Sequence, residues 1–519
     1  MTYRVTRRQA LADALAATAG ALLVTACGAS VSRTPATSGS TLQARWIDPQ
    51  GIGLLRPGPG EPLADRTDLA PRQPLEHVIG TLAHITDAHV LDASSPARAT
   101  FLDRLGPPFQ STFRPHETLT TQVLAGTVAA IRHLGPDAVI QGGDLIDNAQ
   151  RNELEHALSV LTGGTVHPGS SPHGYYGVQL ASNPDPFYYR PDLDAPRHPD
   201  LLQEAVRPFP SPGLKALQYP VLGDHDVLVQ GEIVPTAETR KLALGNQALW
   251  ELLPGLHLPP GARSEITNSP DGPPSPGLVS AFIAQALKGP KQRVPADRGR
   301  REMAVHEVVA RLQENRATAN ADRIPANANV TPANANRTPA NSALDYHADV
   351  GPNLRLIVLD LARRKGGSGG LVRPDQPPWL EQQLAAAKNR WVIAVSHQPL
   401  ASSVGGDQLL ALLDRHPRVI AAVSGHTHRN EIMPRSAPNG GYWLISTASL
   451  IDYPQQARAI QLIATHQGGV ALRTWMLDHV FPGNLGTISR QLSYLDAQGG
   501  RPEGFAGTRL DRNVTLYVR

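Results

Sequence analysis

The 519-residue chain has a single cysteine, Cys27, so no disulfide can form within it and no thiol nucleophile is available in its body. A serine hydrolase is not expected either, for want of a Gly-x-Ser-x-Gly nucleophile elbow. Lys and Arg number 48 against 45 Asp and Glu, a formal charge of +3. That excess is too small to suggest nucleic-acid binding, and it does not exclude an anionic substrate. No run of 18 or more apolar residues follows the first thirty positions, so no membrane span is expected beyond them.

What is present is an ordinary core-forming share of hydrophobic residues, 41%, with unusually many prolines (47) and glycines (46). The length suits one large domain with insertions, or two domains. The Pro and Gly content predicts long ordered loops.

Residues 6–11 read Thr-Arg-Arg-Gln-Ala-Leu, and a weakly apolar, alanine-rich run follows from Ala14 to Ala26. Paired arginines before such a run resemble a twin-arginine export signal. The run ends Val24-Thr25-Ala26-Cys27, which resembles a bacterial lipobox. Residues 1–27 are therefore read as a signal and 28–75 as a tether and N-terminal extension. The expected location is the cell envelope, on the outer face of the cytoplasmic membrane, with membrane contact only through a lipid on Cys27.

The body of the chain alternates strands and helices. Residues 78–86 read as a buried strand ending at Asp87, 118–134 as a helix stopped by Gly135-Pro136, and Ala138–Gln141 as a strand ending at Gly142-Gly143-Asp144. Tyr219–Leu222 is a short strand before Gly223-Asp224-His225-Asp226. Residues 149–218 and 227–350 look like insertions, the second with helices near 237–253, 278–288 and 302–315. Within it, 318–343 is low-complexity, and a proline in each seven-residue repeat from Ile324 forbids a coiled coil. Strands at 354–360, 391–396 and 419–424 alternate with helices at 378–388 and 408–414, and strands at 442–449, 457–465 and 469–477 follow. This pattern predicts an α/β fold of two packed sheets with helices outside. A main domain over 76–480 and a C-terminal extension over 481–519 complete the division.

Five short motifs lie just past apolar strands: Asp87-x-His89, Gly143-Asp144, Gly223-Asp224-His225-Asp226, His397 and Gly425-His426-Thr427-His428. Each alone is common in turns and caps. Together they place carboxylates and imidazoles, which suit divalent metals, at strand ends that converge on one sheet edge. Of 19 histidines, five fall in these motifs.

The five-part pattern resembles the calcineurin-like metallophosphoesterases, and more closely their actinobacterial twin-arginine-exported branch with long inserts between motifs. Segments 78–148, 219–226 and 354–477 carry the resemblance, with Gly369-Gly370-Leu371 and Gln376-x-x-Trp379-Leu380 fitting as well. It implies a four-layer αββα sandwich of the metallophosphoesterase type, with large loop and helical insertions, around two divalent transition-metal ions (Mn, Fe or Zn). Asp87, His89, Asp144 and His428 would hold one metal. Asp144 would bridge to a second held by Asp224, His397 and His426. His225 matches the family's catalytic histidine, and Asp226 would orient it. The implied reaction is hydrolysis of a phosphoric ester, mono- or diester, small-molecule or envelope-borne, by a hydroxide bridging the metals. His225 would add roughly 10²–10⁴ in rate by stabilising charge and protonating the leaving oxygen.

Two departures stand out. Aspartate occupies position 224, where the family usually has asparagine, adding negative charge opposite an anionic substrate. Asp147 occupies the position of the tyrosine ligand of purple acid phosphatases, so an iron–tyrosinate chromophore is not expected. Asp224 also favours a competing reading, a cell-surface metal-binding protein with little or no turnover. Oligomeric state is left open.

Overall fold

The computed structural model describes residues 37–106, 109–171, 174–251, 260–261, 264–265, 268–269, 271–321, 343–501 and 505–518. The signal, Cys27 and the repeat from Ile324 lie outside these residues.

Thirteen strands build two sheets. The first takes β1 (Ala64–Arg66), β2 (Leu75–Ile85), β3 (Ala138–Gln141) and β4 (Leu217–Pro220). The second takes β5 (Tyr346–Val350), β6 (Leu354–Leu359), β7 (Trp391–Ser396), β8 (Val419–Ser424), β9 (Glu431–Arg435) and β10 (Tyr442–Ser446). The chain then returns to the first sheet with β11 (Gln456–Thr465), β12 (Val470–Asp478) and β13 (Val514–Tyr517). Strand order is β1-β13-β12-β11-β2-β3-β4 in the first sheet and β5-β6-β7-β8-β10-β9 in the second. The strands β2, β3 and β4 run parallel, as do β6, β7, β8 and β10.

Alternation along the strands sorts residues into layers. In β6, Leu354, Leu356 and Val358 belong to the same core as Leu82 and Ile140 of the first sheet. Their neighbours Ile357 and Leu359 join Leu380, Leu384, Leu409, Leu410 and Leu413 in a separate core. Those leucines lie on α5 (Gln376–Ala386) and α6 (Gly406–Arg415), which cover the second sheet. Against the first core pack α1 (Thr120–Leu134), α2 (Arg151–Thr162) and α4 (Val305–Asn320), through Leu124, Leu158 and Leu312 among others. The fold is thus the helix–sheet–sheet–helix sandwich expected. Full burial of each such aliphatic side chain stabilises it by about 1.5–3 kcal/mol.

A local signal ends the first long helix. The helix α1 closes at Gly135 (φ 63°), whose N–H returns to the Ile131 carbonyl; only glycine adopts that left-handed cap without strain. The short strand after the first insertion covers Leu217–Pro220, two residues before the expected 219–222. The helix expected over 237–253 stops at Ala243, and Gln247–Leu249 pairs instead with Lys291–Arg293 as a ribbon. The helix α3 (Pro276–Ala286) lies between that ribbon's strands in sequence, and α4 extends to Asn320 into the stretch read as low-complexity. Two further strands come from segments read as extensions: β1 from 28–75, and β13 from 481–519, where α7 (Leu485–Gln498) precedes it. Among the described residues, no helix is long and apolar enough to cross a membrane.

Candidate metal centre

All five motifs follow the C-terminal ends of parallel strands: β2, β3 and β4 in one sheet, β7 and β8 in the other. Open α/β sheets place their ligand sites outside such ends. Loop backbone ties the strand ends of the first sheet to one another and, through Ile451 in the loop after β10, to the second sheet. The Asp87 N–H donates to the Gly143 carbonyl at 3.0 Å, the His89 N–H to the Asp144 carbonyl at 3.0 Å, and the Ile451 N–H to the Asp87 carbonyl at 3.1 Å. Asp87, His89, Asp144, His426 and His428 all have positive φ, a strained choice for non-glycine residues that the surrounding structure must enforce. Two glycines make the close approach possible. A Cβ on Gly143 would lie 2.6 Å from the His397 ring, and one on Gly223 would lie 2.2 Å from the Asp144 carboxylate.

The seven proposed ligands converge into two groups. Asp144, Asp224, His397 and His426 form one; Asp87, His89 and His428 form the other. His397 Nε2 lies 3.0 Å from Asp144 and 3.3 Å from Asp224. His426 Nδ1 is 3.3 Å from Asp224, and His428 Nε2 is 3.3 Å from Asp87. Asp144 also stands 3.8 Å from His89 Nε2, between the groups, where a bridging residue would have to be. A third grouping of His89, Asp147 and His225 reuses His89 and is accounted for by hydrogen bonds.

The donor set fits cations by a test internal to the structure. His89 Nδ1 donates to Asp147 at 3.0 Å, His428 Nδ1 to Asp452 at 2.5 Å, and His397 Nδ1 to the Gly142 carbonyl at 2.8 Å. With Nδ1 committed as donor, each Nε2 presents a lone pair to the centre, as metal-ligating histidines do. The Nε2 of His397 is buried and faces the Asp144 and Asp224 carboxylates, and those of His89 and His428 face one another at 3.3 Å. Such lone pairs need a proton or a cation. Charge says the same. Burial alone would lower His397, yet Asp144 and Asp87 hold it well above its ordinary value. Against burial, Asp87 and Asp452 likewise push His428 up to about 10.

One assigned role is corrected. Asp226 does not orient His225. Its carboxylate accepts the backbone N–H groups of Gly223 (2.8 Å), Asp144 (3.1 Å), Leu145 (2.9 Å) and Ile146 (3.3 Å). His225 Nδ1 donates instead to the Asp147 carbonyl at 2.8 Å. The physical reason is that consecutive side chains on this turn diverge, so Asp226 points back under the loop that carries Asp144. A second expectation also needs correcting. Gly366-Gly367-Ser368-Gly369-Gly370 does spell Gly-x-Ser-x-Gly. It lies in an irregular loop, not on a strand-to-helix turn, and Ser368 offers its carbonyl to Gln398 at 3.0 Å, so it is no nucleophile elbow.

The roles of several residues of the site went unread in the sequence. Asp147 receives His89 and is paired with Arg98 at 2.5 Å, which also reaches Glu117 at 2.7 Å. Asp452 receives His428 and holds Arg114 through two hydrogen bonds. Gln398 donates to Asp224 at 2.9 Å. The only signals for these were an acid three positions past Asp144, an acid shortly after β10, and the glutamine following His397.

Residues 335–430 match the calcineurin-like phosphoesterase family. That stretch is less than a fifth of the chain and contains His397, His426 and His428; Asp87, His89, Asp144 and Asp224 lie outside it and are brought beside them by the fold. No curated protein matches the chain. Among solved structures, a dimetal phosphatase from Danio rerio aligns over 78% of this chain and 97% of its own, at 12% identity and a TM-score of 0.36. The sulfate thiohydrolase SoxB from Thermus thermophilus, in complex with glycerol, aligns over 30% of this chain and 28% of its own, at 21% identity and a TM-score of 0.19.

Proposed function

We propose that the protein is a metal-dependent hydrolase of phosphoric esters, acting as an exported, lipid-anchored member of the calcineurin-like phosphoesterases. The observation that carries this reading is the set of imidazole nitrogens left bare at the centre by Nδ1 hydrogen bonds, facing Asp87, Asp144 and Asp224.

In this reading Asp87, His89 and His428 hold one divalent cation, Asp224, His397 and His426 hold another, and Asp144 is shared. Two cations there supply Lewis-acid polarisation of a phosphoryl group and an acidified water. The chain's own residues do the rest. Asp147 and Asp452 fix the tautomers of His89 and His428. Asp226 holds the Asp144 loop in register by its four backbone contacts. His225, with Nδ1 bound to the Asp147 carbonyl, has Nε2 free; Asp144, Asp147 and Asp224 favour its charged form against burial. It lines the open cleft above the centre and there donates a proton to the leaving oxygen.

The test is elemental analysis of protein purified without chelator, together with hydrolysis of p-nitrophenyl phosphate and bis(p-nitrophenyl) phosphate with added Mn²⁺. About two metals per chain and chelator-sensitive hydrolysis are expected. Two metals without turnover on a broad ester panel would favour the binding protein that Asp224 suggests.

A further inference from the structure

The metal centre is the floor of a cleft of about 520 Å³, within the range of sites that enclose an organic ligand of drug size. His89, Asp144, Asp224, His225, His426 and His428 face into it. A phosphoryl group at the floor leaves most of that volume unfilled.

The walls are of a different character. The helix α3 carries no Asp, Glu, Lys or Arg over Pro276–Ala286. Its Leu278, Val279, Phe282, Ile283 and Ala286 recur at one-face helical spacing, and all five line the cleft. Only Ala286 of these is fully buried; the other four are partly exposed. Phe101 stacks on Phe282 with ring centroids 6.2 Å apart, and Leu249 joins the same cluster; both line the cleft as well. An apolar helical face left half-covered is unfavourable in water unless something apolar occupies it.

The polar complement of the cleft argues against a polyanionic occupant. Among the described lining residues the Arg and Lys side chains are Arg98 and Arg114. Each is consumed by buried carboxylates, Arg98 by Asp147 and Glu117, Arg114 by Asp452. Glu232, Glu265 and Asp271 add acids to the rim. Among the described lining residues, no arginine or lysine is left over for a second phosphate.

We propose that the substrate is a phosphoester of an apolar alcohol, whose alkyl or aryl group lies along the α3 stripe while its phosphoryl group meets the floor. The inference rests on the hydrolase reading above and names the substrate class for that same site. In the step, water forms a P–O bond as the P–O bond to the leaving group breaks, and one proton of the water ends on the leaving oxygen.

The test uses metal-loaded protein and methyl, butyl and octyl p-nitrophenyl phosphodiesters, with thymidine p-nitrophenyl phosphate as the nucleoside arm. Between methyl and octyl, kcat/KM should rise by about 30-fold or more, since each added methylene in contact with the wall is worth roughly two- to four-fold. Ile283→Asp and, separately, Phe282→Ala should collapse that ratio to below about five-fold, with circular dichroism matching the parent protein. Independently of turnover, octylphosphonate should bind at least about ten-fold tighter than methylphosphonate by calorimetry. A flat series in a hydrolysing protein, or preference for the nucleoside ester, overturns the inference. No hydrolysis of any ester, with octylphosphonate still preferred, upholds the apolar site and removes the hydrolase reading instead. Equal binding of the two phosphonates removes the apolar site.

Discussion

His428 donates from Nδ1 to the Asp452 carboxylate at 2.5 Å, and the same carboxylate accepts from Arg114 Nη2 at 3.1 Å. One buried acid therefore sets the tautomer of a metal-facing imidazole and neutralises a buried guanidinium. Asp452→Asn should weaken metal binding by about 10–100-fold, the usual effect of losing such an outer partner. It should also destabilise the fold, by about 3–5 kcal/mol if Arg114 finds no other anion. Chelator-competition titration and thermal melts measure the two effects; unchanged metal affinity would remove Asp452 from the site.

His225 and Asp226 are neighbours in sequence with separable jobs. His225→Ala should keep both metals and lose roughly 10²–10⁴ in kcat. Asp226→Ala strips the acceptor from four buried N–H groups around Asp144, each an unmet polar group of about 1–3 kcal/mol. It should lose metal and stability together. Metal content and melting temperature of the two variants decide the matter, and an Asp226→Ala protein that keeps its metals would contradict it.

Asp224 accepts from Gln398 at 2.9 Å and faces His397 and His426 at 3.3 Å each. Asp224→Asn can keep the Gln398 contact through its carbonyl oxygen while removing a negative charge opposite the phosphate. Weaker metal retention is expected, with turnover at neutral pH equal to the parent's or faster. Asp224→Ala should lose both properties. Side-by-side metal affinities and pH–rate profiles test this; an asparagine variant that is fully loaded yet inactive would refute the charge argument.

Stability of the metal-free protein should depend on pH in a definite sense. Burial pushes Glu153 up to about 8, with Asp147 adding to it, and Glu302 up to about 7, against an ordinary 4.5 for each. The fold thus retains protons that the unfolded chain has released. The stability they contribute is complete below 4.5 and is lost as pH rises through about 7 to 8. Asp452 acts in the opposite sense: against burial, Arg114 and His428 hold it well below its ordinary value, so its contribution is lost only in strong acid. Melting temperature in chelator should be highest at about pH 4–5 and fall towards about pH 8.5. A rising trend over that interval would show the two glutamates to be ionised in the fold.

The export proposal makes its own prediction. Cys27→Ala should release the protein from the membrane fraction, because lipid on that residue is the only anchor proposed; a single acyl chain would hold it only marginally, so more than one is expected there. A variant that stays as firmly bound as the parent would end the lipoprotein proposal.

Strand identity and the candidate ligand residues were legible in the sequence because both are local. Near-continuous apolar runs over 354–359, 391–396 and 419–424 mark strands buried on both faces, and the motif residues stand within a few positions of strand ends. Partners far apart in sequence left no local mark. Nothing near Asp452 points to Arg114, 338 positions earlier, and nothing in Ala64–Arg66 or Val514–Tyr517 announces that they pair with each other at the edge of one sheet. The direction of Asp226 depended on turn geometry, which a run of four residue names does not specify. The apolar face of α3 could be read as a helix from its spacing. That the face lines the cleft above the metal centre was decided only when the chain folded, because long-range packing, not sequence proximity, sets which surfaces meet.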